Sequence, residues 1–298
     1  MNVSHLTDGH LLNIARWYGN TLSRAFVVLY EHNAELDNHH VISEGPDILL
    51  RHCPNLSELT YVGSVDSKWI QNLEDIRHKH LTDLTIHICN CDGDLDTEAL
   101  LTATPNLQHL AMTLSMIGND YHLPSKLLRL CPELVSLFLT GNCDLDTEIR
   151  DIHRRRGVER AKCKVSNEPG LEDLIIHDAL SKYPIAPSLL CAFGRQLATV
   201  LRSLSIAGYE MFNAGLAAIT LSSLTHFTVG PEYLYMRDID VHTPNFFQRS
   251  IPNLTSLDVR AAVDSVNMLL LLLMDSARHL EEIRFSSSCS SLRTNWLI

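Results

Sequence analysis

Along most of its length the chain repeats one pattern, apolar-x-x-apolar-x-apolar, with first positions 23 to 37 residues apart. It is clear at Leu56, Leu59 and Tyr61; at Leu81, Leu84 and Ile86; at Leu107, Leu110 and Met112; and at Leu134, Leu137 and Leu139. It continues at Leu171, Leu174 and Ile176; Leu201, Leu204 and Ile206; Leu224, Phe227 and Val229; Leu254, Leu257 and Val259; and Leu280, Ile283 and Phe285. A weaker copy stands at Leu22, Ala25 and Val27. The last two positions of each copy are two apart, so on a short strand they face one side and one core. The rest of each unit must cross to the next parallel strand, a length that suits a helix of two or three turns. No unit covers its own apolar face, so the stack is the domain.

The segments between the copies carry helix signals. Asp96-Thr97-Glu98 places a capping side chain and an acidic first turn ahead of Ala99, Leu100 and Leu101. Asp146-Thr147-Glu148 repeats the signal, and Asp-Leu-Asp-Thr-Glu recurs in full at 94–98 and 144–148. Pro54, Pro105, Pro132 and Pro252 each stand two residues before a first leucine, where proline ends a helix and sets the turn into a strand.

At these residues the chain resembles the cysteine-containing leucine-rich repeats of F-box proteins. Cys53-Pro54-Asn55-Leu56 and Cys131-Pro132-Glu133-Leu134 match that subclass's helix-to-strand junction. Leu6-Thr7-Asp8 followed by Leu11, Ile14 and Ala15 resembles its helix, and Cys89 and Asn142 fall where it places Cys or Asn after the strand. The resemblance implies one α/β domain over 1–298. That domain is a right-handed leucine-rich-repeat solenoid of about ten units, with parallel strands on the concave face and helices on the convex face. It also implies substrate recognition for an SCF-type ubiquitin ligase, in which a Skp-type adaptor binds an F-box and the repeats hold the substrate. Repeat-like sequence begins at Leu6 and no F-box is recognisable. The alternatives are therefore an F-box upstream in a longer product, or a free-standing adaptor or regulator using the same surface. An enzyme is the reading from another class.

Composition narrows the partner. With 45% apolar and 20% charged residues the chain suits a folded domain. Its net charge of -11 disfavours nucleic acid, which needs a basic surface. No leader or spanning segment stands out, because the longest apolar run, 266–274, is far too short to cross a bilayer. The eight cysteines are therefore read as reduced thiols of a cytoplasmic or nuclear monomer, with Cys53, Cys131, Cys89 and Cys143 packed at recurrent repeat positions.

Residues alternating with the apolar positions point to the opposite face of each strand, in three columns. The central column contains Phe138 and Ile175, two apolar side chains among small polar ones, and this pair is the expected partner anchor. His109, Asp173 and His177 flank it, and the histidines would make binding pH-sensitive. His87 and His226 share the face, whereas His39-His40 and His78-x-His80 read as loop residues. No metal or cofactor is expected, since the spacings hold no Cys-x-x-Cys or His-x-x-x-His pair and no phosphate-binding or catalytic motif. The long interval before Leu171 predicts an irregular insertion near 150–170. Its Arg154, Arg155, Arg156 and Arg160 suit either an acidic-partner docking site (or nuclear import signal) or a solvated crossover helix.

Overall fold

The computed structural model describes residues 8–28, 45–63, 73, 76–88, 97–113, 122–140, 170–177, 187–207, 218–229, 246–260 and 279–286. The chain divides into two compact units, Met1–Phe138 and Leu139–Ile298. The first contains α1 (Asp8–Tyr18), β1 (Arg24–Val28), α2 (Gly45–His52), β2 (Glu58–Gly63), β3 (Asp83–Ile88), α3 (Thr97–Ala103), β4 (His109–Thr113) and α4 (Leu123–Leu130). Strand β5 (Ser136–Thr140) begins at its end. The second contains β6 (Asp173–His177), α5 (Pro187–Leu197), β7 (Ser203–Ala207) and β8 (His226–Val229). A π-helical turn, Phe246–Ser250, then precedes β9 (Ser256–Arg260) and β10 (Glu282–Ser286).

Every described strand starts two residues after the first apolar position of its copy, from Leu22 before β1 to Leu280 before β10. In the first unit β1, β2, β3 and β4 pair in chain order and in parallel, with Leu59 beside Leu84 and Leu84 beside Leu110. In the second unit β6 to β10 do the same, with Leu174 beside Leu204, Leu204 beside Phe227 and Phe227 beside Leu257. The same position of the motif is thus stacked on itself, which is why so many leucines are fully covered. Leu56, Leu59, Leu81, Leu84, Leu107, Leu137, Leu224 and Leu257 have no exposed surface. Each such side chain contributes about 1.5–3 kcal/mol of burial. Leu280 and Ile283 are half-exposed; β10 has a described neighbour on one side only.

A backbone device holds the register. The carbonyl of the residue after each first leucine accepts two amides from the next copy. Ser23 O receives Ser57 N and Glu58 N, Ser57 O receives Thr82 N and Asp83 N, and Thr82 O receives Gln108 N and His109 N, at 2.8–3.2 Å. Gln108 O takes Val135 N and Ser136 N, which ties β5 to β4. In the second unit Glu172, Arg202, Thr225 and their successors repeat it. Where that residue is Ser or Thr, its hydroxyl donates to the same carbonyl, as Ser57 does to Ser23 O at 2.9 Å and Thr255 to Thr225 O at 3.1 Å. Two residues earlier in the path, Asn55, Asn106 and Asn253 each donate their side-chain amide to the preceding turn's carbonyl, at Asn20, Lys79 and Ser222. These ladders satisfy turn groups that burial would otherwise penalise by about 1–3 kcal/mol each.

The residue three before the first leucine follows helices α2, α3 and α4 directly at Cys53, Thr104 and Cys131. Cys53, His78, Thr104 and Cys131 occupy this place in the first unit, and all four are buried. Thr104 Oγ1 donates to Leu100 O at 2.9 Å, and the Cys131 thiol lies 3.6 Å from Thr104 O. Burial pushes the Cys131 thiol up to about 12, so it stays neutral. Cys89 and Cys143 lie outside the described residues.

His78 lies outside the helices and strands, as its sequence context suggests, but it is not a solvated loop residue. It is 3% exposed; Nε2 sits 2.8 Å from Cys53 O, its backbone N–H donates to Ala103 O, and Nδ1 has no partner. Its sequence neighbour His80 is exposed, as expected. Burial holds the His78 pKa below the ordinary value of 6.5, the Cys53 carbonyl opposes this, and His80 reinforces it. His87 is likewise lowered by burial. A histidine kept neutral in the fold contributes stability that is full above its unfolded pKa. As pH falls below 6.5 the unfolded chain takes up protons first, and that stability is lost toward the lower folded pKa. Denaturation midpoints are therefore expected to fall between pH 7 and pH 5, with a shallower slope in His78→Cys, which places the column's own residue type there. An unchanged slope in that variant removes His78 as the cause.

Candidate binding surface

On the face opposite the leucines, the pairing sets the columns in register: Glu58, Asp83 and His109; Thr60, Thr85 and Ala111; Val62 and His87. Ser136 and Phe138 extend the first two by the same count from Leu134. The three columns differ in burial. In the first, Glu58, His109 and Ser136 are half-exposed while Asp83 is buried. In the second, Thr60, Thr85 and Ala111 are 1%, 5% and 2% exposed. In the third, Val62, His87 and Thr113 are buried too, and His87 Nδ1 pairs with Thr113 Oγ1 at 3.1 Å.

The two residues of the expected apolar anchor are both largely covered. Phe138 and Ile175 are 7% and 8% exposed, so neither offers an open apolar surface. Side-chain alternation tells which face a residue occupies. It does not tell how much chain lies over that face, and large side chains between strands about 4.8 Å apart are covered first. Of the flanking residues, His109 is half-exposed on β4 and Asp173 half-exposed on β6, in separate units. His177 ends β6, and its side chain is outside the described set, as are Arg154, Arg155, Arg156 and Arg160 with the whole of 141–169.

What stays accessible is most of the first column, the β1 strand, and in the second unit Thr228, Asp258 and Arg284 of the second column. In the second unit Asp173, Ser203, Ser256 and Glu282 are half-exposed and His226 is exposed, with Thr225 Oγ1 2.8 Å from its Nδ1. Arg284 pairs with Glu282 at 2.6 Å, and Ser256 Oγ lies 3.1 Å from the same carboxylate. In the first unit Arg24 Nε lies 3.5 Å from Glu58. Beside it Phe26, which pairs with Thr60 in the buried column, is 58% exposed, and Trp17 on α1 is 79% exposed. Each unit thus presents polar, ion-paired strand residues able to hydrogen-bond a partner, and the first adds two exposed aromatic side chains. Among the described residues no group of three or more His, Cys, Asp or Glu is placed to hold a metal ion. No described helix is long and apolar enough to cross a membrane. No protein-family model and no curated protein matches the chain.

Proposed function

We propose that the chain is a leucine-rich-repeat protein that recognises another protein, serving substrate recognition for an SCF-type ubiquitin ligase. The observation that carries the reading is the constant register. Among the described residues ten strands each begin two residues after a motif leucine, and the strands within each unit pair in parallel. An array of that kind builds a long strand face from repeated units, which is an architecture suited to binding extended surfaces. Within each unit the first column supplies polar contacts, the half-exposed Glu58 and His109 in the first and the half-exposed Asp173 and Glu282 with the exposed His226 in the second. The reading of Cys53 and Cys131 as structural thiols agrees with their burial and with the repeat subclass the junctions resemble.

A free-standing repeat adaptor using the same surface is the second reading. The discriminating experiment is a pull-down of the native full-length product probed for a Skp-type adaptor. Stoichiometric adaptor supports the ligase role. Partners retained without adaptor move the protein to the free-standing class.

A further inference from the structure

We infer that a groove across the turns of the second unit receives a basic side chain of an extended partner segment, with Glu172 as its counter-ion. The groove is a cavity of about 290 Å³ lined by Glu172, Arg202, Ser222, Ser223, Thr225 and Asn253, with Thr199 and Val200 completing it. It lies on the turns that lead into β6, β7, β8 and β9, away from the strand columns.

The sequence explains why the groove opens here. At the position two before the first leucine, the chain carries Pro54, Pro105, Pro132 and Pro252, but Thr199 and Ser222 take that place in two successive turns. Small side chains thus stand there between Pro169 and Pro252, which hold the same place in the turns on either side. Four successive turns, following a strand spacing of about 4.8 Å, give a run of about 14 Å, enough for about four residues of extended peptide.

The lining carries one carboxylate, Glu172, and one guanidinium, Arg202. Ser223 Oγ donates to Thr199 O at 2.7 Å, Thr225 Oγ1 to Arg202 O at 3.3 Å, and the Asn253 amide to Ser222 O at 2.7 Å. These hydroxyl donors are spent on the chain's own carbonyls, which leaves hydroxyl lone pairs, the Asn253 carbonyl oxygen and the Glu172 carboxylate as acceptors, with the half-exposed Arg202 guanidinium as the cation a ligand must displace. The Glu172 side chain is only 13% exposed. Its one ionic partner among the described residues is Arg202 Nε at 3.9 Å, beyond hydrogen-bond length, on a side chain that is half exposed. A carboxylate so largely removed from water and so loosely paired is stabilised by a cation that donates to it directly. A guanidinium or ammonium group fits, and the net charge of -11 draws such partners in.

The inference rests on reading the chain as a protein-binding array and names the chemistry of one partner segment. The test is fluorescence anisotropy of labelled Ser-Gly-Arg-Gly-Ser on the full chain, beside the same peptide with neutral citrulline for arginine. The arginine peptide is expected to bind, and citrulline to weaken it by about tenfold or more. Glu172→Gln should do the same. Glu281→Gln, an equal loss of charge at an exposed site of the same unit, should change affinity less than about twofold. Arg202→Ala removes the internal competitor and should tighten binding. Ser222→Tyr fills the groove without changing charge and should abolish binding, which keeps the test decisive if Glu172→Gln misfolds. Equal losses from Glu172→Gln and Glu281→Gln, equal binding of the citrulline peptide, or no binding of the arginine peptide would overturn the groove. Any of these beside intact partner capture in the pull-down leaves the protein-binding reading standing; a bound peptide with no captured partner does the reverse.

Discussion

Leu137→Asp is expected to abolish cooperative folding of the chain. Leu137 opens the strand pair of its motif on β5 and has no exposed surface. An aspartate there would carry an unpaired charge into the leucine stack, at a cost of roughly 5 kcal/mol or more. That is comparable with the whole stability of an ordinary domain, about 5–15 kcal/mol. In a repeat array each unit leans on its neighbours, so the damage spreads along the stack. Urea denaturation followed by circular dichroism checks it. A two-state transition within 1 M of the wild-type midpoint, an order-of-magnitude criterion given the usual slope of about 1–3 kcal/mol/M, would show that Leu137 is not in the core.

Gly19→Ala is the second large effect. Gly19 follows α1, is buried, and donates its N–H to Ala15 O at 2.7 Å. A β-carbon at this position would run into the backbone carbonyls of His52, at the end of α2, and of Ala15. Neither is the end of a flexible side chain, so α1 and α2 must separate. The expected loss is about 3 kcal/mol, the upper end of overpacking costs. Gly170→Ala is a built-in comparison, since its β-carbon would meet only the Val200 side chain, 2.5 Å from Cγ1. Val200 can turn or shift, so about 1 kcal/mol is expected. Equal losses in the two variants would contradict this account of Gly19.

The strands were legible because their signal is strictly local. The last two apolar positions set the face, and the first sets the start of the strand two residues on, so Glu58, Asp83 and His109 could be placed from sequence alone. The helix beginning at Thr97 was legible for the same reason, a capping side chain followed by acid. Burial of the opposite face was not, because side-chain alternation fixes only the face on which Thr60, Thr85 and Phe138 stand and not how far it is covered. His78 was missed although a signal existed: counting three back from Leu81 aligns it with Cys53 and Cys131. The groove also had one, the absence of proline at Thr199 and Ser222, but an absence carries chemistry only once the hydroxyl donors are seen to be spent.

The central claim, that the folded repeat array holds a protein partner, is tested most directly by quantitative affinity purification of wild type and Leu137→Asp from the same cells. The account predicts at least one protein held in stoichiometric amount by the wild-type chain and lost from the variant. A folded wild-type chain that retains no protein above background, or the same proteins held equally by the unfolded variant, would contradict it.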